Sequence, residues 1–446
     1  VISLFLMLGD LPSMAQLPFS GTVAGWEGQT VQLLAYTGLK LDSVAVTMAD
    51  GQGSFSFEKG LCRGMYLLRS KGDTEIELLY NGQPVQFVMS DANDLKTIQF
   101  VRSKINEKWS AYLWRRANYR HAVELLKSVL RQYDPQTEFY RNTAAEFVRL
   151  QSDFRLFTDS LTVNDSSYAA RLIRTDRDLP TDLKQSANEQ RKYLIDNFFG
   201  DVDFDDLSLI PTNVLTTKMI DYLSLYQGLP QFASNSDAGF VVGLGAVFEK
   251  AKVNMRMYEF VLTYMLEGFS ALGVEPVVNY LLNYPKLGEG EVPLEQGLRL
   301  ETIAAPYQKV RVGVKAPNLT GMTIDGRSYD LYVSKAKHII VFFASSDCEY
   351  CHEFLTRIRK KLDLQSDFEL VTVFIADNKA EVEDALKKMK LTGYHFYDDL
   401  RWDSKAFLDY HVSSTPSVFV LDSQKTIVLK PYNFEELIEW KRALDS

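Results

Sequence analysis

The residues of this chain best suited to chemistry are two thiols in the order Cys348-Glu349-Tyr350-Cys351. Two cysteines three positions apart on the first turn of a helix can close a disulfide on themselves. The helix N-terminus also stabilises the first thiolate through its unpaired N–H groups and its dipole. The run before them, Val341-Phe342-Phe343-Ala344, is apolar and strand-like, so the pair follows directly on a buried β element. These are the minimal parts for thiol–disulfide exchange, in which one thiolate attacks a disulfide and a second resolves the mixed species.

Other chemistries share the same residues. Cys348, Cys351 and His352 satisfy the c-type haem attachment pattern, two thioether cysteines followed by an axial histidine. Haem attachment needs an open loop around the macrocycle, whereas this motif follows a strand and begins a helix. A metal site lacks a fourth ligand at usable spacing, so neither a metal nor any other cofactor is expected. His352 then reads as a helix-surface residue beside the thiols, and His121, His338, His395 and His411 as scattered structural residues.

The elements that hold the pair belong to a long chain. Its 446 residues exceed one ordinary domain, and 46% hydrophobic with 24% charged residues is ordinary globular composition. A formal charge of −9 and the absence of a basic tract argue against a nucleic-acid partner or an anionic membrane surface. Three cysteines are too few for a disulfide-stapled scaffold, which marks the pair as reactive rather than structural. The third, Cys62, is expected to be buried or idle.

Residues 1–15 read as the remnant of a secretory signal: an apolar run from Val1 to Gly9, then Ser13-Met14-Ala15 as a small-residue cleavage site. A buried first strand is the competing reading. No later stretch reaches 18 apolar residues, so a soluble, exported chain without stable membrane insertion is expected, periplasmic or secreted.

Three regions follow. In residues 16–102 short alternating runs are separated by Asp50-Gly51 and Asn81-Gly82, the strongest short hairpin signals, which predicts an antiparallel β domain, a small sandwich. In residues 103–306 the apolar period becomes helical, as in Ala122 to Leu130 and Tyr258 to Leu272. Pro211, Pro230, Pro276, Pro285 and Pro293 are expected to cut this α-helical middle domain into short helices. Its many aromatic residues read as core. Gly243-Leu244-Gly245 lacks a third glycine, since Phe248 stands there, and a preceding strand, so it is no dinucleotide loop. In residues 312–446 the order is strand His338 to Ala344, helix Glu353 to Leu362, strand Phe368 to Ala376 and helix Lys379 to Met389. A helix Ser404 to Tyr410, a hairpin around Asp422 to Lys425 and a last helix capped by Asn433 complete a small α/β domain.

Cys-x-x-Cys after a buried strand, with Thr415-Pro416 ahead of a hairpin strand, resembles the thioredoxin fold. Gly313, Ala316, Pro317 and Asn318 look like the lead-in of its exported branch. The β region, with Gly21-Thr22-Val23-Ala24-Gly25 and Lys40-Leu41-Asp42-Ser43, resembles the module that Bacteroidetes attach to secreted thioredoxin-like proteins. The segment Asn197 to Asp206 is similar to the helical module found between the two. The whole is thus expected to be multidomain, with an α/β thioredoxin-like domain at the C-terminus.

The resemblance implies a thiol–disulfide oxidoreductase acting on protein disulfides and recharged by an upstream membrane or periplasmic reductant. It makes Cys348 the nucleophile and Cys351 the resolving thiol. Thr415, Pro416 and Tyr350 would bind substrate, the backbone of Thr415 pairing with its extended chain. The chain also departs from the family. Asp347 stands in place of the tryptophan before the first cysteine and Tyr350 in place of a proline. Phe342 replaces a buried carboxylate, leaving Glu353 as the nearest acidic substitute for a proton acceptor. Negative charge at Asp347 and Glu349 opposes the helix dipole at Cys348 and points to a reducing couple. Two other functions are compatible with these residues. Ser345 lies three before Cys348, as peroxide reduction needs, although Val341 takes the place of that chemistry's proline. The long region upstream, which shows no chemistry of its own, also fits a binding or scaffold protein with a vestigial thioredoxin-like domain.

Overall fold

The computed structural model describes residues 19–57, 61–70, 74–227, 229, 231, 236–283, 294–362, 364 and 368–445. The apolar run read above as a signal remnant lies outside these residues, as do Pro230, Pro285 and Pro293. The chain forms two compact units, and the division between them falls between Met257 and Tyr258.

The first unit opens with β1 (Phe19–Val23), β2 (Thr30–Thr37), β3 (Lys40–Met48), β4 (Ser54–Phe57), β5 (Gly64–Arg69), β6 (Glu75–Tyr80), β7 (Val85–Met89) and β8 (Ile98–Arg102). They form two four-stranded sheets in the orders β4-β1-β7-β8 and β3-β2-β5-β6. Alternation decides which side faces in: Val85, Phe87 and Met89 are buried while Gln86 and Val88 are exposed. Phe19, Phe55 and Phe87 of one sheet share an apolar cluster with Leu33, Leu68 and Leu78 of the other, which makes a sandwich.

The expectation of purely antiparallel pairing fails at one place, because β1 and β7 run parallel with Phe19 opposite Val85. The intervening chain builds the second sheet before β7 returns beside β1, and so long a connection permits parallel pairing. Cys62 is exposed, not buried, because Leu61 beside it fills the core position.

Helices follow: α1 (Lys104–Gln132), α2 (Glu138–Thr162), α3 (Tyr168–Asp176), α4 (Ala187–Asn197), α5 (Val214–Ser224) and α6 (Ser236–Ala251). Gly243-Leu244-Gly245 lies inside α6. At 29 and 25 residues, α1 and α2 are not the short helices expected, because both end before Pro211. Buried polar groups fix α1 on the sandwich. Asn106 bonds both the N–H (2.7 Å) and the carbonyl (2.8 Å) of Leu79, and Trp109 Nε1 donates to Glu77 at 2.8 Å. Asn213 donates to the other Glu77 oxygen at 2.9 Å, while burial, opposed by these bonds, pushes the Glu77 carboxyl up.

The second unit takes most of α7 (Met255–Ala271), then α8 (Glu275–Asn283) and α9 (Leu294–Gln308). Pro276 is the second residue of α8, where a missing N–H costs nothing. After a small hairpin of β9 (Thr320–Met322) and β10 (Ser328–Asp330) come β11 (His338–Ser345), α10 (Glu349–Lys361), β12 (Phe368–Ile375), α11 (Lys379–Met389) and β13 (Tyr394–Tyr397). The chain closes with α12 (Lys405–Asp409), β14 (Ser417–Leu421), β15 (Ile427–Leu429) and α13 (Phe434–Asp445). The sheet order is β13-β12-β11-β14-β15. β11, β12 and β13 are parallel, and β14 and β15 antiparallel.

The central strand β11 is buried on both faces, which explains its unbroken apolar run. Ile340, Phe342 and Ala344 point to the side covered by α10, α11 and α13. Ile339, Val341 and Phe343 point to the side holding Phe407 and Tyr410. Gly393 brings the chain against β12: its φ is +143°, and a Cβ there would lie 2.3 Å from the Leu370 carbonyl oxygen. No helix among the described residues is long and apolar enough to cross a membrane.

Candidate redox site

The site is built at the end of β11. The chain leaves the sheet at Ser345, crosses Ser346 and Asp347, and enters α10 with Cys348 as the N-cap. Cys348 takes an extended conformation (φ −83°, ψ 100°), and its Sγ accepts from the Cys351 N–H at 3.1 Å. A sulfur therefore does the work of a serine or aspartate cap. The two cysteines form a disulfide with Cα atoms 5.2 Å apart. Their environments differ sharply: Cys348 is half-buried, whereas Cys351 is 0% exposed and sits among Phe342, Phe354 and Leu355.

The mouth of the site is acidic. The hydroxyl of Ser345 bonds Asp347 and, as the largest effect, holds its carboxyl below the usual carboxylate range, with Arg401 and His352 adding positive charge. Asp347 is therefore anionic at neutral pH, one residue before the N-cap sulfur. Ser346 Oγ lies 3.2 Å from Glu381 Oε2, and Arg401 pairs with Asp377. His352 is half-buried in the first turn of α10, where its N–H bonds the Cys348 carbonyl at 3.1 Å.

Strand register explains how distant residues join the motif. β14 runs antiparallel to β11 with Ser417 opposite Phe343. The loop before β14 therefore lies at the sheet end from which Cys348 emerges. The Thr415–Pro416 peptide in that loop is cis, and Ser417 Oγ donates to the Ser414 carbonyl at 2.8 Å. Tyr350, Thr415 and Pro416 line one cavity of about 270 Å³.

Glu353 goes elsewhere. It lies on the solvent side of α10, 4.0 Å from Arg357, which also pairs with Glu435 at 2.5 Å. A proton acceptor for the fully buried Cys351 would have to lie on the inner side of the helix. That side is apolar: Phe342 is 0% exposed and meets Phe354 edge to face at 5.3 Å. Tyr432, Lys430 and Gly273 also line the cavity beside Thr415 and were not singled out from the sequence, where no motif marks them.

Residues 336–427 match a family model described as thioredoxin-like. The C-terminal α/β domain is therefore thioredoxin-like over these residues. No curated protein matches the chain. Among solved structures, a thioredoxin-like protein from Bacteroides caccae is 16% identical with a TM-score of 0.40, covering 60% of this chain and 97% of its own. The thioredoxin domain of a thiol-disulfide oxidoreductase from Bacteroides vulgatus is 19% identical with a TM-score of 0.28, covering 30% and 98%. A thiol-disulfide oxidoreductase from Bacteroides fragilis is 18% identical with a TM-score of 0.27, covering 29% and 98%. Within the thioredoxin-like domain the cysteine pair occupies the turn from the central strand into the first helix. Among the described residues no group of three or more His, Cys, Asp or Glu could hold a metal ion.

Proposed function

We propose that the chain is an exported thiol–disulfide oxidoreductase that reduces protein disulfides through Cys348 and Cys351. The observation that carries this reading is the asymmetry of the pair, one sulfur at the helix N-cap within reach of solvent and its partner fully buried behind it. In the reduced state the Cys348 thiolate attacks a substrate sulfur, forming a mixed disulfide and expelling the first substrate thiolate. Cys351, losing its proton, then attacks Cys348 Sγ, and the second substrate thiolate leaves. The substrate gains two electrons, and the domain ends as the Cys348–Cys351 disulfide. A dithiol donor upstream, membrane-bound or periplasmic, returns the electrons.

With Glu353 paired to Arg357 on the outer face, the released substrate thiolate takes the Cys351 proton. The reducing direction follows from charge. Asp347 and Glu349 disfavour a thiolate at Cys348, and a less stabilised reduced form makes a stronger reductant. Thr415 and Pro416, with Tyr350, hold the substrate chain. Export rests on the apolar run Val1 to Gly9 and the small residues after it.

The test is insulin reduction by wild type and Cys348→Ser, with Cys351→Ser used to trap mixed disulfides. Loss of turnover in the first variant and covalent capture by the second are expected. Equal turnover in wild type and Cys348→Ser would overturn the assignment.

A further inference from the structure

The cavity beside Thr415 and Pro416 is walled on one side by residues from outside the thioredoxin-like fold. The end of α7 and the turn into α8 contribute Ser270, Ala271 and Gly273 to its lining. This turn lies very close to the segment after β15. Gly273 has φ +67°, and a Cβ on it would come within 3.1 Å of the Lys430 carbonyl oxygen and 3.3 Å of Tyr432 Cβ. No other residue type makes that approach without strain.

An ion pair fixes the contact. Glu275, the first residue of α8, lies 2.7 Å from Lys430 Nζ, with the two side chains only 13% and 9% exposed. Lys430 Nζ also lies 5.6 Å above the Phe419 ring, and the other Glu275 oxygen accepts from the Val312 N–H at 3.4 Å. A pair this enclosed holds its geometry far better than a surface pair. Ala271 itself is exposed at the rim.

We propose that the α7–α8 turn is the specificity wall of the substrate groove and restricts the enzyme to disulfides in slim, extended peptide segments. The inference rests on the exchange reading above, since the groove is continuous with Tyr350, Thr415 and Pro416. Its volume, about 270 Å³, is below the roughly 300–1,000 Å³ of pockets that enclose a drug-sized ligand. Such a space takes one backbone strand and a small side chain beside the cysteine. Once a strand lies in it, the remaining space suits a small side chain better than an indole or the flanking bulk of a folded protein. The class of substrate is therefore an unfolded or peptide disulfide with small neighbours.

The test uses the full chain and three oxidised substrates: hydroxyethyl disulfide, a peptide disulfide with Ala on both sides of its cysteine, and the same peptide with Trp there. Wild type should favour the Ala peptide over the Trp peptide by about tenfold in kcat/KM. Ala271→Trp narrows the rim from an exposed position. It should lower the Ala-peptide rate by about tenfold relative to the hydroxyethyl disulfide rate and spare the melting temperature; Ala271→Ser should behave as wild type. A wild type that treats both peptides alike, or an Ala271→Trp variant that keeps the wild-type rate on the Ala peptide, would overturn the wall while leaving exchange intact. A wild type inert even toward hydroxyethyl disulfide would overturn both readings together.

Discussion

The backbone N–H of Cys351 donates to the sulfur of Cys348 across 3.1 Å, so the capping atom of α10 is also the atom proposed as the nucleophile. Opening the disulfide leaves that sulfur on the positive end of a helix of 13 residues, and ionisation strengthens the bond it already accepts.

Asp347 works against this cap. Its carboxyl is held below the usual range, chiefly by Ser345, and so stays charged beside the reduced sulfur. Asp347→Asn should lower the apparent pKa of the Cys348 thiol and make the couple less reducing. Thiolate absorbance against pH, with equilibration against glutathione, reads both. An unchanged potential would remove the electrostatic account of direction.

A second expectation concerns acid stability. His395 is buried, its Nδ1 2.7 Å from Thr372 Oγ1, and desolvation pushes its pKa down to about 4 from an ordinary 6.5. Between these values the unfolded chain carries a proton that the folded one does not, so stability is complete above pH 6.5 and falls as the pH drops toward 4. The loss is roughly 3 kcal/mol by pH 4. Urea unfolding at pH 7 and pH 4.5 should show the slope in wild type and a shallower one in His395→Gln.

Phe342 occupies the inner side of the site, fully buried beneath the cysteine pair. Phe342→Ala removes a fully buried ring and its edge-to-face partner contact with Phe354, at a cost of about 3–5 kcal/mol. The denaturant midpoint should fall accordingly, with Phe342→Leu intermediate.

The first unit has its own weak point. Asp176 is 5% exposed and accepts from Tyr112 Oη at 2.8 Å while pairing with Arg116, itself largely buried. Asp176→Ala leaves that guanidinium without its counter-charge and should cost about 3 kcal/mol, less for Asp176→Asn. Thermal unfolding measures it. Hydroxyethyl disulfide reduction well below the transition should be unaffected, since no redox chemistry is assigned to this unit.

Much of this was legible in the residues. His338 to Ala344 could only be a two-sided strand, and Lys379 to Met389 matches α11 end for end. What escaped was set by tertiary contact. β13 (Tyr394–Tyr397) is an edge strand with one buried residue, His395, so no alternation marks it. The parallel pairing of β1 with β7 depends on where the second sheet lies, which no local pattern encodes. Glu353 looked usable because it follows the cysteines closely, but the helical period turns it to solvent two positions after Cys351 turns inward. The Gly273 turn is far from the motif in sequence, and only packing brings it beside Thr415.

The burial of Cys351 also bears on survival under oxidants. A peroxide reaching Cys348 makes a sulfenic acid, which either meets a thiol or is oxidised further and lost. Here the rescuing thiol waits three residues away, shielded from the same peroxide by the core around it. Oxidative attack on this pair therefore ends in the reversible disulfide rather than in an irreversible sulfinic acid.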